Sequence, residues 1–343
     1  MRKPSFCAAP YLHIGDDAVM IRVMASLAAL ILVFGISGHG EAASSAKVLF
    51  PNGLTIVVGY GSGGTVDTGA RIAQPYLQKE LGVPVIVQDM SGGGGSAAVH
   101  YVYTQKPDAA VVLMSFIPAL TIGQVIQGGA YDMRKLTPIS GVYGHNTIVL
   151  IAKKGSKYKD FASLKAATTT ITAAVAGVKS SSAWAALAYL AEINGINIAA
   201  VPYKGGAEGT NAALGGAVDI SATTLVEATR LLGSGRAQAV LQFADKPLTE
   251  LPGVEAIGQV GKQSEIFDST LGLTGPPGMS KDAVNVIASA LSAIVKDPQF
   301  AIGAKNVGLE IESQLPAVWA ATLNGSYNTI NRDAPLLNKF VSK

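Results

Sequence analysis

The stretch Gly59-Tyr60-Gly61-Ser62-Gly63-Gly64-Thr65-Val66-Asp67 is the part of the sequence best suited to chemistry, and that chemistry is the capture of an anion. Glycines at this spacing bare backbone N–H groups, and where they open a helix those groups sit at the positive end of its dipole. Tyr60, Gly61, Ser62, Gly63, Gly64 and Thr65 are therefore candidate ligand contacts, with the N–H groups of residues 61–65 addressed to one carboxylate. Each such charge-assisted hydrogen bond contributes roughly 1.5–3 kcal/mol, so two or three suffice for micromolar capture. Asp67 repels an anion; in a first helical turn its expected work is to tie the turn together.

A second donor-rich run is Lys179-Ser180-Ser181-Ser182, placed before another helical segment. One of Ser180, Ser181 and Ser182 serves as an N-cap, which leaves hydroxyls over for a ligand. Lys179 is either a solvated loop cation or a partner for a second carboxylate of a diacid. Tyr203 and Lys204 end a strand at Gly205-Gly206, and Thr223 ends another, where it lines a ligand site or is an ordinary strand threonine.

These groups are positioned by alternating strands and helices. Residues 54–58 form a short β-branched run that reads as a buried parallel strand, and Ala70, Ile72, Ala73, Tyr76 and Leu77 repeat at helical spacing after it. Strands follow at 84–88 and 111–115, with a helix over 96–105 between them. This β-α-β-α-β order predicts a parallel sheet with ligands at its strand C-termini. Strands over 139–142 and 147–152 lead into a second unit. There, strands at 171–176, 199–202, 219–223 and 237–243 alternate with helices at 161–167, 180–194, 207–214 and 225–232. The tail from Lys281 reads as mostly helical. The fold class is α/β, in two lobes around a cleft.

With 343 residues the chain has length for about two domains. Hydrophobic residues make up 49 %, aromatics only 6 %, and Gly numbers 39, so small side chains dominate the packing. Charged residues are 14 % and the net charge is +3, with no long basic run, which argues against nucleic acid as a partner. Arg22 precedes an uncharged run over 23–36, and small residues follow at Gly40-Glu41-Ala42 and Ser44-Ser45-Ala46. Residues 1–46 thus read as a cleavable export signal directing the chain to the periplasm, and a start at Met20 would give it a conventional leader. The single cysteine, Cys7, lies ahead of the apolar run, which leaves neither a lipoprotein anchor nor a disulfide in the exported part.

Catalytic readings fit less well. Gly59-x-Gly61-x-x-Gly64 satisfies a dinucleotide-binding fingerprint, with Asp89 near the ribose-reading position, yet Asp67 would repel a pyrophosphate and an export signal leads away from cofactor pools. A nucleophile elbow fails because Tyr60 stands where its first glycine belongs, and only His100 and His145 remain beyond the leader as bases. Paired metal ligands are lacking. No catalytic residue, metal or cofactor is expected.

In order along the chain, Gly63-Gly64-Thr65-Val66-Asp67 with Ala70-Arg71, Gly92-Gly93-Gly94-Gly95, Pro107-Asp108, Val201-Pro202-Tyr203-Lys204-Gly205-Gly206, Gly215-Gly216-Ala217-Val218-Asp219 and Gly272-Leu273-Thr274-Gly275-Pro276-Pro277-Gly278 resemble the Bug family, periplasmic receptors of tripartite tricarboxylate transporters. The resemblance runs from about Leu54 to Leu309. It implies a type II periplasmic-binding-protein fold, a carboxylate ligand between two lobes, and membrane permease subunits as partners of a monomer. The lobes are expected at 47–142 plus 268–343 and at 143–267. A receptor presenting its ligand to a membrane sensor kinase would read the same way. Lys179, Ala183 and Gly59 depart from the residues usual in the family, and residues 221–224 lack an acid often found there, so the identity of the carboxylate does not follow from the resemblance.

Overall fold

The computed structural model describes residues 45–144, 146–177, 181–260 and 269–341. Residues 1–44 of the expected leader, His145, Lys179 and Ser180 lie outside the described residues, as do 261–268.

Two sheets organise the chain. The first is six-stranded, in the order β11-β4-β10-β3-β1-β2. Its members are β1 (Leu54–Val58), β2 (Val85–Asp89), β3 (Val111–Ile117), β4 (Thr137–Gly144), β10 (Thr270–Gly275) and β11 (Glu310–Gln314). β1 pairs in parallel with β2 and β3, with Val58 opposite both Asp89 and Met114, so their C-terminal ends share one edge. β10 runs antiparallel between β3 and β4. The second sheet is five-stranded, β7-β6-β8-β5-β9. It comprises β5 (Ile148–Lys153), β6 (Ile171–Ala176), β7 (Ile198–Tyr203), β8 (Ile220–Thr224) and β9 (Ala237–Gln242). Val175 lies opposite Pro202 and Ala222, which brings the C-terminal ends of β6, β7 and β8 to a common edge as well.

The helices that matter for the site each start at such an edge. α1 (Thr65–Leu81) follows β1, and α2 (Ser96–Tyr103) follows β2. α3 (Ala119–Gln127) follows β3, and α4 (Phe161–Lys165) precedes β6. α5 (Ser182–Asn194), α6 (Gly206–Gly215) and α7 (Leu225–Leu232) follow β6, β7 and β8. After β10 come α8 (Lys281–Ile294), α9 (Pro298–Asn306) and α10 (Pro316–Val341).

α1 buries Val66, Ala70, Ala73, Leu77 and Leu81 against the first sheet, the stripe that its spacing predicts, and ends at Gly82 in the left-handed region with φ 63°. α5 is buried along most of its length, from Ser182 to Ala191. Its small residues Ala183, Ala185, Ala186 and Ala188 allow that close approach to the second sheet.

The tail is mostly helical, as its sequence reads, and two features go beyond that reading. The tail is not purely helical, because Glu310–Gln314 pairs antiparallel with β4 and closes the first sheet's edge; its mixed polar sequence, Glu-Ile-Glu-Ser-Gln, hides an edge strand. α10 also joins both cores. Trp319 and Leu323 pack with the first sheet's second face, while Ile330, Leu337 and Phe340 enter the core of the second sheet. Trp319 Nε1 donates to the Leu273 carbonyl at 3.1 Å, and the Phe340 ring lies 5.4 Å from that of Trp184.

Candidate functional site

The edges of the two sheets face each other across a pocket. Tyr60, Gly61, Gly64 and Thr65 line it from the first unit. Ser181, Ser182, Gly205, Gly206, Thr223 and Glu227 line it from the second. Val66, Phe116, Ile148, Ala176, Ala183 and Ala222 supply apolar walls. Tyr60 is shared with an outer chamber of about 490 Å³, bounded by residues 91–94, Gly177, Tyr203 and Lys204.

Four helix N-termini meet at this pocket: those of α1, α5, α6 and α7. Each carries a partial positive charge and N–H groups that no intrahelical carbonyl can reach. α5 and α7 are capped by their own side chains, Ser181 Oγ accepting from Trp184 N–H at 3.1 Å and Thr224 Oγ1 from Glu227 N–H at 3.4 Å. α1 and α6 have glycine N-caps, Gly64 and Gly205, and no side chain caps either one. Neither first turn is closed by a side-chain cap, and that of α1 is open to a ligand.

Within the glycine loop the roles divide. Asp67 is 3 % exposed, accepts the Gly63 N–H on Oδ2 at 2.7 Å, and holds Arg71 Nε 2.6 Å from Oδ1. Arg71 also reaches Asp89 at 2.9 Å, and Asp89 accepts from Ser62 Oγ at 2.5 Å. Gly63 and Ser62 are thus engaged in fixing the loop, and the Gly64 N–H turns back to the Gly61 carbonyl at 3.3 Å. Gly63 needs its φ of +78° for this turn. What this loop leaves toward the pocket is the first turn of α1 and the Thr65 hydroxyl. Thr65 Oγ1 lies 2.7 Å from Thr224 Oγ1, a hydroxyl pair that joins the two units directly.

Among the other expected residues, Ser182 is 1 % exposed and its hydroxyl has no hydrogen-bond partner among the described residues. A buried hydroxyl without a partner is costly, so one aimed into a pocket marks a ligand position. The Tyr60 hydroxyl is also without a partner there, and its burial pushes its pKa up. Tyr60 stands edge-on to Phe116 with centroids 5.9 Å apart. Tyr203 lies in the outer chamber rather than the pocket, beside Lys204.

Glu227 is the pocket residue that the sequence reading passed over. It is 6 % exposed, Thr223 Oγ1 donates to its Oε2, and a Cβ built on Gly206 would overlap its carboxylate. Its Oε1 would lie 3.8 Å from a Cβ on Gly64, on the opposite unit. Burial pushes its pKa up, with the Thr223 hydrogen bond and Arg230 pulling the other way. The signal was present: Thr224-Leu225-Val226-Glu227 has the spacing of a capping box. The Glu227 side chain instead goes to Thr223 and the start of α6.

Two α/β units that aim helix N-termini into a shared pocket define a two-lobed binding protein. The chain belongs to the tripartite tricarboxylate transporter receptor family, whose sequence profile residues 69–320 match. Similar proteins include BugT of Bordetella pertussis, 26 % identical over 262 residues, which covers 74 % of this chain and 80 % of that protein. A UPF0065 protein of Agrobacterium vitis is 26 % identical over 249 residues, covering 71 % of this chain and 72 % of its own. The periplasmic binding protein BugD superposes with a TM-score of 0.76 at 24 % identity, over 84 % of this chain and 97 % of its own. MatC of Rhodopseudomonas palustris with bound malate gives 0.76 at 23 %, over 83 % and 98 %. An R. palustris protein with adipate gives 0.77 at 20 %, over 83 % and 97 %. The Bug resemblance and the α/β periplasmic-binding-protein fold read from the sequence agree with these findings.

Proposed function

We propose that this protein is an exported receptor that closes its two lobes on a small carboxylate and delivers it to the membrane permease subunits of a tripartite transporter. The observation that carries this is the convergence of four helix N-termini from both units on one pocket, two of them without a side-chain cap. A carboxylate there receives N–H groups from the first turn of α1 and the hydroxyl of Ser182, in a water-poor site where such bonds are strong. Family membership, and the malate and adipate held by two similar solved structures, support the ligand class.

The lobes are 47–142 with 268–343, and 143–267, with the end of α10 packed onto the second lobe, and residues 1–46 are the leader that takes the chain to the periplasm. The protein works as a monomer, without a cofactor and without altering its ligand. We place the hinge at the crossings near 140–147 and 267–273.

A thermal-shift and calorimetry panel of mono-, di- and tricarboxylates tests the ligand class. A member present at 100 times its dissociation constant stabilises the fold by about 2.7 kcal/mol, a readily visible shift. A panel without a single binder contradicts it. Delivery is tested by whether the ligand-loaded protein, but not the ligand-free one, retains permease subunits from detergent-solubilised membranes.

A further inference from the structure

We infer that Glu227 sets the ligand class: the pocket takes a carboxylate that also carries an amine, its carboxylate at the α1 N-terminus and its ammonium against Glu227. This rests on the receptor reading above and narrows it.

Glu227 belongs to the second unit, yet its Oε1 is directed at Gly64 of the first, so it stands in the pocket between the two lobes. A small ligand held at the start of α1 cannot avoid it. Its Oε2 is occupied by the Thr223 hydroxyl, and no hydrogen bond to Oε1 is found among the described residues. No cationic side chain lines the pocket among the described residues. Neighbouring charges are committed elsewhere. Asp67 holds Gly63 and Arg71, and Glu208 accepts the Lys204 N–H at 3.0 Å. Arg230, one turn along α7, acts on Glu227 from a distance.

A second ligand carboxylate placed here would face a buried acid, and the pair could coexist only by sharing a proton. An ammonium meets the opposite situation, since it supplies the counter-charge that a desolvated carboxylate lacks and a donor for Oε1. The unpartnered Ser182 hydroxyl remains for the ligand carboxylate. The apolar walls then hold the short methylene chain between the two ends.

The test is isothermal calorimetry at pH 7.5 on the purified wild-type protein and Glu227→Gln, with propionate, butyrate and succinate set against alanine, β-alanine and γ-aminobutyrate. The expected result is at least one amine-bearing acid bound tenfold or more tightly than its amine-free counterpart and than succinate. In Glu227→Gln, with thermal unfolding still cooperative, that ratio should collapse to within about threefold. Amine-free acids or succinate bound best by the wild type, with Glu227→Gln unchanged, would overturn the inference while leaving the receptor reading intact. If no acid in either group binds, the inference falls, and the receptor reading is decided by the wider carboxylate panel above. A Glu227→Gln protein that does not fold is replaced by Glu227→Met, for which the same collapse is required.

Discussion

The two uncapped helix N-termini of the pocket, those of α1 and α6, are built alike and furnished differently. Each follows a parallel strand, has a glycine N-cap, and lacks a side-chain cap. At α1 the acid of the loop, Asp67, is turned away and tied to Gly63 and Arg71, which leaves the first turn clear. At α6 an acid from the next helix, Glu227, lies over Gly206. The same backbone device therefore acts as an anion seat in one lobe and as the support for a fixed carboxylate in the other. Which of the two it becomes is decided by side chains distant in sequence.

The largest expected effect comes from Gly206→Ala. In an open helix start this exchange is neutral or stabilising, because alanine restricts the unfolded chain. Here the added methyl overlaps the Glu227 carboxylate, so the fold should lose about 1–3 kcal/mol. Gly205→Ala, with nothing within 4 Å of its Cβ, serves as the control and should be nearly silent. Denaturant titration of both variants separates the cases, and equal stabilities would place Glu227 elsewhere.

At the α1 seat, Gly64→Val should weaken carboxylate binding tenfold or more, since its side chain grows toward Glu227 Oε1 and crowds the Gly61 carbonyl, 3.2 Å from the built Cβ. Gly63→Ala should behave in the opposite sense. It costs about 1 kcal/mol of stability for its positive φ, but it faces open space and leaves binding nearly unchanged. Calorimetry and unfolding on both variants check this pair.

How much of this was legible in the sequence follows the same division. Gly63, Gly64 and Asp67 announce a tight strand-to-helix turn because backbone geometry alone demands them, and α1 begins at Thr65 as its spacing says. Ser181 and Ser182 were legible as an N-cap and a spare hydroxyl for the same local reason. Glu227 was not, although its capping-box spacing was on view. Its burial arises from Thr223 of β8, Gly206 of α6 and Gly64 of the other unit meeting around it, which is a tertiary fact. The strand Glu310–Gln314 escaped notice because an edge strand needs no apolar alternation. The terminal helix gave no sign in sequence that its two ends serve different cores.

A smaller effect distinguishes the seats by pH. Glu227 has its pKa raised by burial, so the folded protein holds its proton more tightly than the unfolded chain does. Between the ordinary glutamate range, about 4.3, and the raised value, the folded state binds more protons, and stability falls as pH rises through that window. Glu227→Gln removes the titration. Its stability advantage over the wild type should be small at acidic pH, grow as pH rises, and then level off. Thermal unfolding in a pH series reads this directly, and a pH-independent difference would count against a buried acid. Smallest of all, Thr65→Val removes one partner of the hydroxyl pair that joins the lobes, at a cost of about 0.5–1.5 kcal/mol to the closed form. Small-angle scattering should show a larger radius of gyration for that variant without ligand and an equal one at saturation.

The comparison of the two seats is tested most directly by a crystal structure of the protein with the tightest-binding acid of the panel. The ligand carboxylate is expected at the start of α1, with its oxygens within about 2.7–3.1 Å of first-turn N–H groups and of Ser182 Oγ. A carboxylate found instead in the outer chamber, against residues 92–94 and Lys204, would contradict the assignment of the pocket as the binding site.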